Sequence, residues 1–216
     1  MRSREVAIYV PKGSLGATLS SAADSRRFVV FAHGSGSSRF SSRNRFVARE
    51  LNEAGFATVL MDLLTQSEDG RDRATAEFRF NVQLLAERLS IATGWLRNTF
   101  GDAALSIGYF GASTGAGAAL LAAAAKDAEV AAVVSRGGRP DLAGAALEHV
   151  AAPTLLIVGE NDPEVLELNR QAEAALRCRS ELAVVPGATH LFEEPGALER
   201  VAALASAWFL QYLPKV

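Results

Sequence analysis

Apolar and polar positions follow two different rhythms along the 216-residue chain, and the switches between them mark out its elements. Glu5 to Val10 and Ser14 to Leu19 alternate with period two, as strands with one covered face do. Pro11-Lys12-Gly13 turns the chain between them. Phe28 to Ala32 is instead an unbroken β-prone apolar run, the pattern of a strand covered on both faces of a parallel sheet. A Gly/Ser-rich loop follows. Then comes a helical segment from about Arg43 to Ala54 that puts Phe46, Val47 and Leu51 on one face and stops at Gly55.

The unit then repeats. Ala57 to Met61 predicts a strand, Asp62 to Arg73 a polar loop, and Ala76 to Asn98 a long helix. Leu105 to Phe110 predicts the next strand and Ser113 to Lys126 the next helix. Val130 to Val134 and Thr154 to Val158 read as further buried strands, with a helix at Glu164 to Leu176. Leu182 to Val185 is the last strand and Leu198 to Leu213 the closing helix. Two leading strands followed by strand–helix alternation predict an α/β fold: a doubly wound, mostly parallel sheet with helices on both faces. No linker, low-complexity tract or solenoid repeat interrupts it, so residues 1–216 are expected to form one domain.

Composition narrows the partners. Hydrophobic residues make up 49% and charged residues 21%, as in an ordinary globular domain. A net charge of -2, with Arg interspersed among acids, gives no electrostatic basis for nucleic acid or an anionic membrane. The most apolar stretch, Ala116 to Ala125, is too short to span a bilayer. The N-terminus runs into a strand pattern rather than a signal-peptide core. Cys178 is the one cysteine, which excludes a disulfide within the chain and makes a reducing cytoplasm the expected location.

The chemistry begins at Gly111-Ala112-Ser113-Thr114-Gly115, a G-x-S-x-G motif with a strand before it and a helical run after it. That setting is a nucleophile elbow: a sharp turn lifts the serine above the sheet and sets a helix N-terminus beneath it. Only small neighbours fit such a turn, which accounts for Gly111 and Gly115. The alternative role for Ser113 is a plain helix cap. A serine needs a base, and the chain has three histidines. His149 ends a polar segment and reads as a surface residue. His33, at a strand end before Gly34, reads as a loop buttress. His190 follows the last strand and can reach back over the sheet's carboxyl edge, so it is the expected base. The orienting carboxylate is expected at Asp162, in the acidic turn Gly159-Glu160-Asn161-Asp162-Pro163, with Glu160 as the alternative. Asp162 could also cap the helix that Pro163 opens. The loop His33-Gly34-Ser35-Gly36-Ser37-Ser38 is placed to supply a second oxyanion donor beside the Thr114 N–H. That donor is Ser35 N–H, with Gly36 the neighbouring choice. The loop lacks the third glycine of a dinucleotide fingerprint, and no G-K-[ST] follows it.

On these residues, together with Asp62-Leu63-Leu64 and Gly187-Ala188-Thr189-His190, the chain resembles the α/β-hydrolase superfamily. More narrowly, it resembles the small bacterial hydrolases related to dienelactone hydrolase. The resemblance implies a sheet of seven or eight strands, the first pair antiparallel, with a Ser-His-Asp triad at its carboxyl edge. It also marks a departure: dienelactone hydrolases use a cysteine nucleophile, whereas this elbow carries Ser113, and Cys178 at a helix end is no substitute. Many relatives insert a cap after the strand here ending at Val134. Ser135 to Ala152 is too short to build one, so an open, shallow site is expected. Arg136 and Arg139 in that segment are candidates to bind an anionic group of the substrate. The alternative for each is a surface role or, for Arg139, pairing with Asp141. The expected activity is hydrolysis of small carboxylic esters through an acyl-enzyme, with no metal or organic cofactor. Lactone or thioester hydrolysis, perhydrolysis, a non-catalytic ligand-binding role and a domain working beside a fused partner stay open, as does the oligomeric state.

Overall fold

The computed structural model describes residues 1–101 and 105–214. Eight strands form one sheet: β1 (Arg2–Val10), β2 (Gly13–Ser21), β3 (Arg27–Ala32), β4 (Ala57–Met61), β5 (Ser106–Ala112), β6 (Ala132–Arg136), β7 (Thr154–Gly159) and β8 (Ser180–Val185). Their order across the sheet is β1-β2-β4-β3-β5-β6-β7-β8. β2 runs antiparallel to both its neighbours, and all other pairs are parallel. The five central strands β3 to β7 are buried at every residue, as their unbroken apolar runs require. β1, at one edge, is mostly exposed.

Helices cover both faces. α1 (Ser42–Glu53) and α6 (Ala197–Tyr212) share one core with Val29, Phe31, Phe110 and Val134. α3 (Val82–Phe100), α4 (Thr114–Ala123) and α5 (Pro163–Ala175) cover the other face. Burial of side chains such as Leu51 and Phe209, both 0% exposed, drives this packing, and each is worth roughly 1.5–3 kcal/mol. Tyr109 of β5 crosses the second core to hydrogen-bond Thr93 of α3 at 2.7 Å. Burial pushes its phenol up to about 12, so the tie stays neutral.

Two elements differ from the pattern of the sequence. The segment expected as a polar loop holds a helix, α2 (Gln66–Thr75). A reciprocal cap starts it: Glu68 N–H donates to Thr65 Oγ1 at 3.2 Å, and Thr65 N–H donates to Glu68 Oε2 at 2.8 Å. Ala76, at φ 53, ends it in the left-handed region, so α3 starts at Val82 rather than Ala76. Residues 77–81 wrap around the buried Asp72 instead. Its Oδ1 accepts the N–H groups of Phe78 and Arg79 at 2.7 and 3.0 Å, and its Oδ2 the Arg79 Nε–H at 2.6 Å. Burial alone would raise the Asp72 pKa, but these donors outweigh it and hold the carboxyl below its usual range.

Between β6 and β7 the chain makes only a 3-10 segment, Pro140–His149, with no cap domain. Among the described residues no helix is long and apolar enough to cross a membrane.

Candidate active site

β5 ends at Ala112, and α4 starts at Thr114. Ser113 between them adopts φ 52, ψ −123, a conformation rarely taken by a residue with a side chain. Three backbone bonds hold it there. Its N–H donates to Arg136 O at 3.2 Å, and its carbonyl accepts from Ala116 N at 3.0 Å and Arg139 N at 3.0 Å. The surroundings admit only glycine at two places. A Cβ on Gly115 would stand 2.4 Å from the carbonyl oxygens of Ala32 and His33, and one on Gly111 would stand 2.4 Å from Ala116 Cα. The Ser113 hydroxyl makes no capping bond, so the plain-cap role is not the one it plays.

Asp162 is the residue before α5, and its carboxylate caps nothing. It faces His190 instead: His190 Nδ1 lies 2.7 Å from Asp162 Oδ2. With the Nδ1–H donating to the carboxylate, Nε2 is left as the basic nitrogen. Asp162 is 14% exposed and His190 39%, so the acid is sheltered while the imidazole is open to a ligand. The loop carrying His190 is pinned to the turn after β7. Gly187 N–H donates to Glu160 Oε2 at 2.8 Å, Asn161 N–H to Ala188 O at 2.9 Å, and Asn161 Nδ2 to Gly187 O at 3.0 Å. Glu160, the alternative acid, thus anchors the base's loop rather than the base.

The pair and Ser113 flank one dipeptide. Arg136 O receives the Ser113 N–H, and a Cβ on the next residue, Gly137, would stand 3.5 Å from His190 Nδ1. Among the described residues no hydrogen bond joins Ser113 Oγ to His190. The structure brings Asp162 and His190 into contact and sets Ser113 across Arg136-Gly137 from them.

The other histidines are not bases for Ser113. His33 is 9% exposed; its Nδ1–H donates to Gly34 O at 2.9 Å and its Nε2 accepts Leu63 N–H at 3.1 Å. Burial lowers its pKa, and the neutral ring buttresses the loop against the exit of β4. His149 is exposed at the end of the 3-10 segment. Burial raises the pKa of Cys178, which keeps the thiol protonated.

The two expected oxyanion donors meet each other. As the first residue of α4, Thr114 has no intrahelical acceptor for its N–H. The Ser35 N–H is already engaged, donating to Thr114 Oγ1 at 2.8 Å. To face an oxyanion it must share or leave that acceptor.

The two arginines separate sharply. Arg139 forks onto Asp141, Nε to Oδ1 at 2.8 Å and Nη2 to Oδ2 at 2.7 Å. That is the pairing offered as the alternative for Arg139, and it engages two of its three guanidinium nitrogens. Arg136 is 8% exposed, and its guanidinium forms no ion pair or hydrogen bond with any described residue. Residue type and spacing alone did not distinguish them; the direction of the side chain at the end of β6 does.

The site is uncapped but not shallow on every side. α2 and the 33–41 loop enclose a cavity of about 1070 Å³, lined by Ser35, Arg39, Asp62, Gln66, Arg79 and Thr114 among others. Ser113, Asp162 and His190 are not on its wall, so the cavity reaches the elbow from the oxyanion side. Its cations are compensated, Arg39 by Asp62 and Arg79 by Asp72.

Residues 17–212 match the model of the dienelactone hydrolase family. A dienelactone hydrolase of Anabaena variabilis, known from its crystal structure, is 52% identical with a TM-score of 0.95, each chain covered to 99%. Est1E of Butyrivibrio proteoclasticus shares the fold at TM-score 0.77 with 16% identity, over 96% of this chain and 98% of its own. Proteins from two strains of Mycobacterium tuberculosis, provisionally named phosphoribosyl transferase, are 56% identical over 99% of this chain. The chain spans about half, 47%, of their length.

Proposed function

The chain belongs to the dienelactone hydrolase family, and from that premise we propose that it is a serine hydrolase of small carboxylic esters acting through an acyl-enzyme. The observation that carries the reading is the 2.7 Å contact of His190 with Asp162, across one dipeptide from a strained serine at a helix N-terminus.

In this mechanism His190 Nε2 takes the Ser113 proton as Oγ attacks the ester carbonyl. The step requires these two side chains to come within hydrogen-bonding reach. The Asp162 carboxylate holds Nδ1–H and stabilises the imidazolium that forms. Thr114 N–H, aided by the positive end of α4, faces the developing oxyanion, and Ser35 N–H joins it by sharing the Thr114 hydroxyl. The imidazolium returns its proton to the leaving alcohol. Water, deprotonated by the same ring, then releases the acid and restores Ser113. These steps need no metal or organic cofactor. The lone cysteine favours a reducing cytoplasm as the working compartment.

The same groups suit lactones, thioesters or perhydrolysis, and a substrate panel separates these. The provisional transferase name belongs to proteins about twice as long, so the hydrolase reading concerns the portion this chain matches. The test is labelling with a fluorophosphonate followed by turnover of a short-chain p-nitrophenyl ester. Labelling is expected at Ser113, and S113A is expected to lose it with about a thousandfold or more of turnover. An unlabelled Ser113 in folded protein would indicate a ligand-binding role on a hydrolase scaffold.

A further inference from the structure

Arg136 is the last residue of β6, paired in register with Ala112 just before the nucleophile. Its side chain turns to the face covered by α1 and α6. There its guanidinium lies 6.0 Å from the centroid of the Phe192 ring, two residues past His190. Nε and Nη1 are buried and have no acceptor among the described residues. Among the described residues no carboxylate pairs with it, and the charge that bears on it, that of Arg43, has the same sign. Burial, with that repulsion, pushes its pKa down to about 10, which still leaves it charged at neutral pH.

Arg43 is the second residue of α1. Its Nη1 reaches Glu193, an exposed carboxylate, at 3.0 Å, while its Nε is buried with no partner. Two guanidiniums from different elements thus meet the Phe192-Glu193 segment that follows His190, each with a buried N–H that has no acceptor among the described residues. An unpaired buried cation such as Arg136 is among the most costly arrangements in a protein, and a like charge nearby adds to the cost. The buried Arg88, by contrast, meets a carboxylate, Glu68, at 2.8 Å. A pair left open is the donor set of an anion site.

We propose that Arg136 and Arg43 bind a phosphoryl group, and that the ligand at this edge of the sheet is a phosphate monoester. Arg136 is uncompensated and Arg43 is paired only with an exposed carboxylate, so the edge keeps a net positive charge for an anion. Donors arriving from the end of a strand and the start of a helix suit a tetrahedral group better than a planar carboxylate, which one arginine fork satisfies. The positive end of α1 adds to the attraction. Binding itself does not depend on Ser113. Its use in selecting a phosphate-bearing ester rests on the hydrolase reading above.

The test is a titration of the whole chain with inorganic phosphate at pH 7 and constant ionic strength, followed by thermal unfolding. A saturable rise in Tm of about 3 °C or more is expected at ten times the dissociation constant. R136M is expected to abolish the rise, and R43Q to weaken binding at least tenfold. Should R136M not fold, the partly exposed Arg43 decides the matter. No rise beyond that given by sodium chloride would mean that water satisfies the guanidiniums, and would overturn the site. An equal rise with succinate would overturn the phosphoryl assignment, and an undiminished rise in both variants would put the ion elsewhere. In turnover, the preference for a phosphate-bearing over a neutral ester is expected to fall at least tenfold in R43Q. A flat titration with Ser113 still labelled would refute the anion site alone. A saturable titration with Ser113 unlabelled would refute the hydrolase alone.

Discussion

The backbone N–H of Ser35 donates to the Thr114 hydroxyl at 2.8 Å, so the glycine-rich loop and the start of α4 are tied together where an oxyanion would sit. The tie sets the spacing of the two donors before substrate arrives, and preorganisation of this kind is a large part of acyl-transfer catalysis. T114V removes the acceptor while keeping the shape. It is expected to lower kcat by about tenfold with little change in KM, the worth of one hydrogen bond, and T114S is expected to restore it. Loss of activity in T114S as well would mean that the methyl group, not the hydroxyl, matters.

Asp162 has one visible task, because its carboxylate makes no cap for α5. D162N should fold like the native chain and present the wrong hydrogen-bonding partner to Nδ1. Its kcat for a p-nitrophenyl ester is expected to fall by about 10³–10⁴. A loss under tenfold would remove Asp162 from the triad.

Glycines in this chain have opposite sensitivities to a methyl group. G115A places Cβ against two fixed carbonyl oxygens and is expected to destabilise by ~3 kcal/mol or to prevent folding. Gly94, inside α3, has nothing within 4 Å of a built Cβ. G94A is expected to stabilise by ~0.5–1 kcal/mol through helix propensity. Urea unfolding of both variants checks the contrast.

His33 links pH to stability. Burial holds its pKa below the ordinary imidazole value of about 6.5. The unfolded chain therefore takes up a proton that the folded chain refuses, so this contribution is present above that value and is lost as pH falls through the folded pKa. The native protein is expected to weaken between pH 7 and pH 5 more than H33Q, whose amide can also donate and accept. An equal loss of unfolding free energy in the two proteins, from urea titrations at the two pH values, would contradict this.

The sheet was legible because its central strands are buried on both faces and hence apolar without interruption, as at Phe28 to Ala32. α2 was not legible from periodicity, since Asp72 is its one buried residue and it presents no apolar stripe. Its signal was Thr65-Gln66-Ser67-Glu68, the reciprocal cap, lying inside what composition made look like a loop. The start of α3 was hidden for a related reason: Phe78 and Arg79 give their N–H groups to a side chain, a long-range choice that no local pattern encodes. The contact of Asp162 with His190 could be read because each follows a strand with a turn signature. The inward turn of Arg136 could not, because residue type does not say which way a side chain leaves the end of β6, whereas Asp141, two residues on, already offered Arg139 its partner.

The twisted backbone at Ser113 has a consequence for the molecule's resilience. A residue held at φ 52, ψ −123 stores about 1–3 kcal/mol that glycine would not. S113G is therefore expected to outlast the native chain in denaturant while doing no chemistry. The fold would be sturdier without that side chain, and a raised urea midpoint in the variant would show how much toughness the chain gives up to keep it.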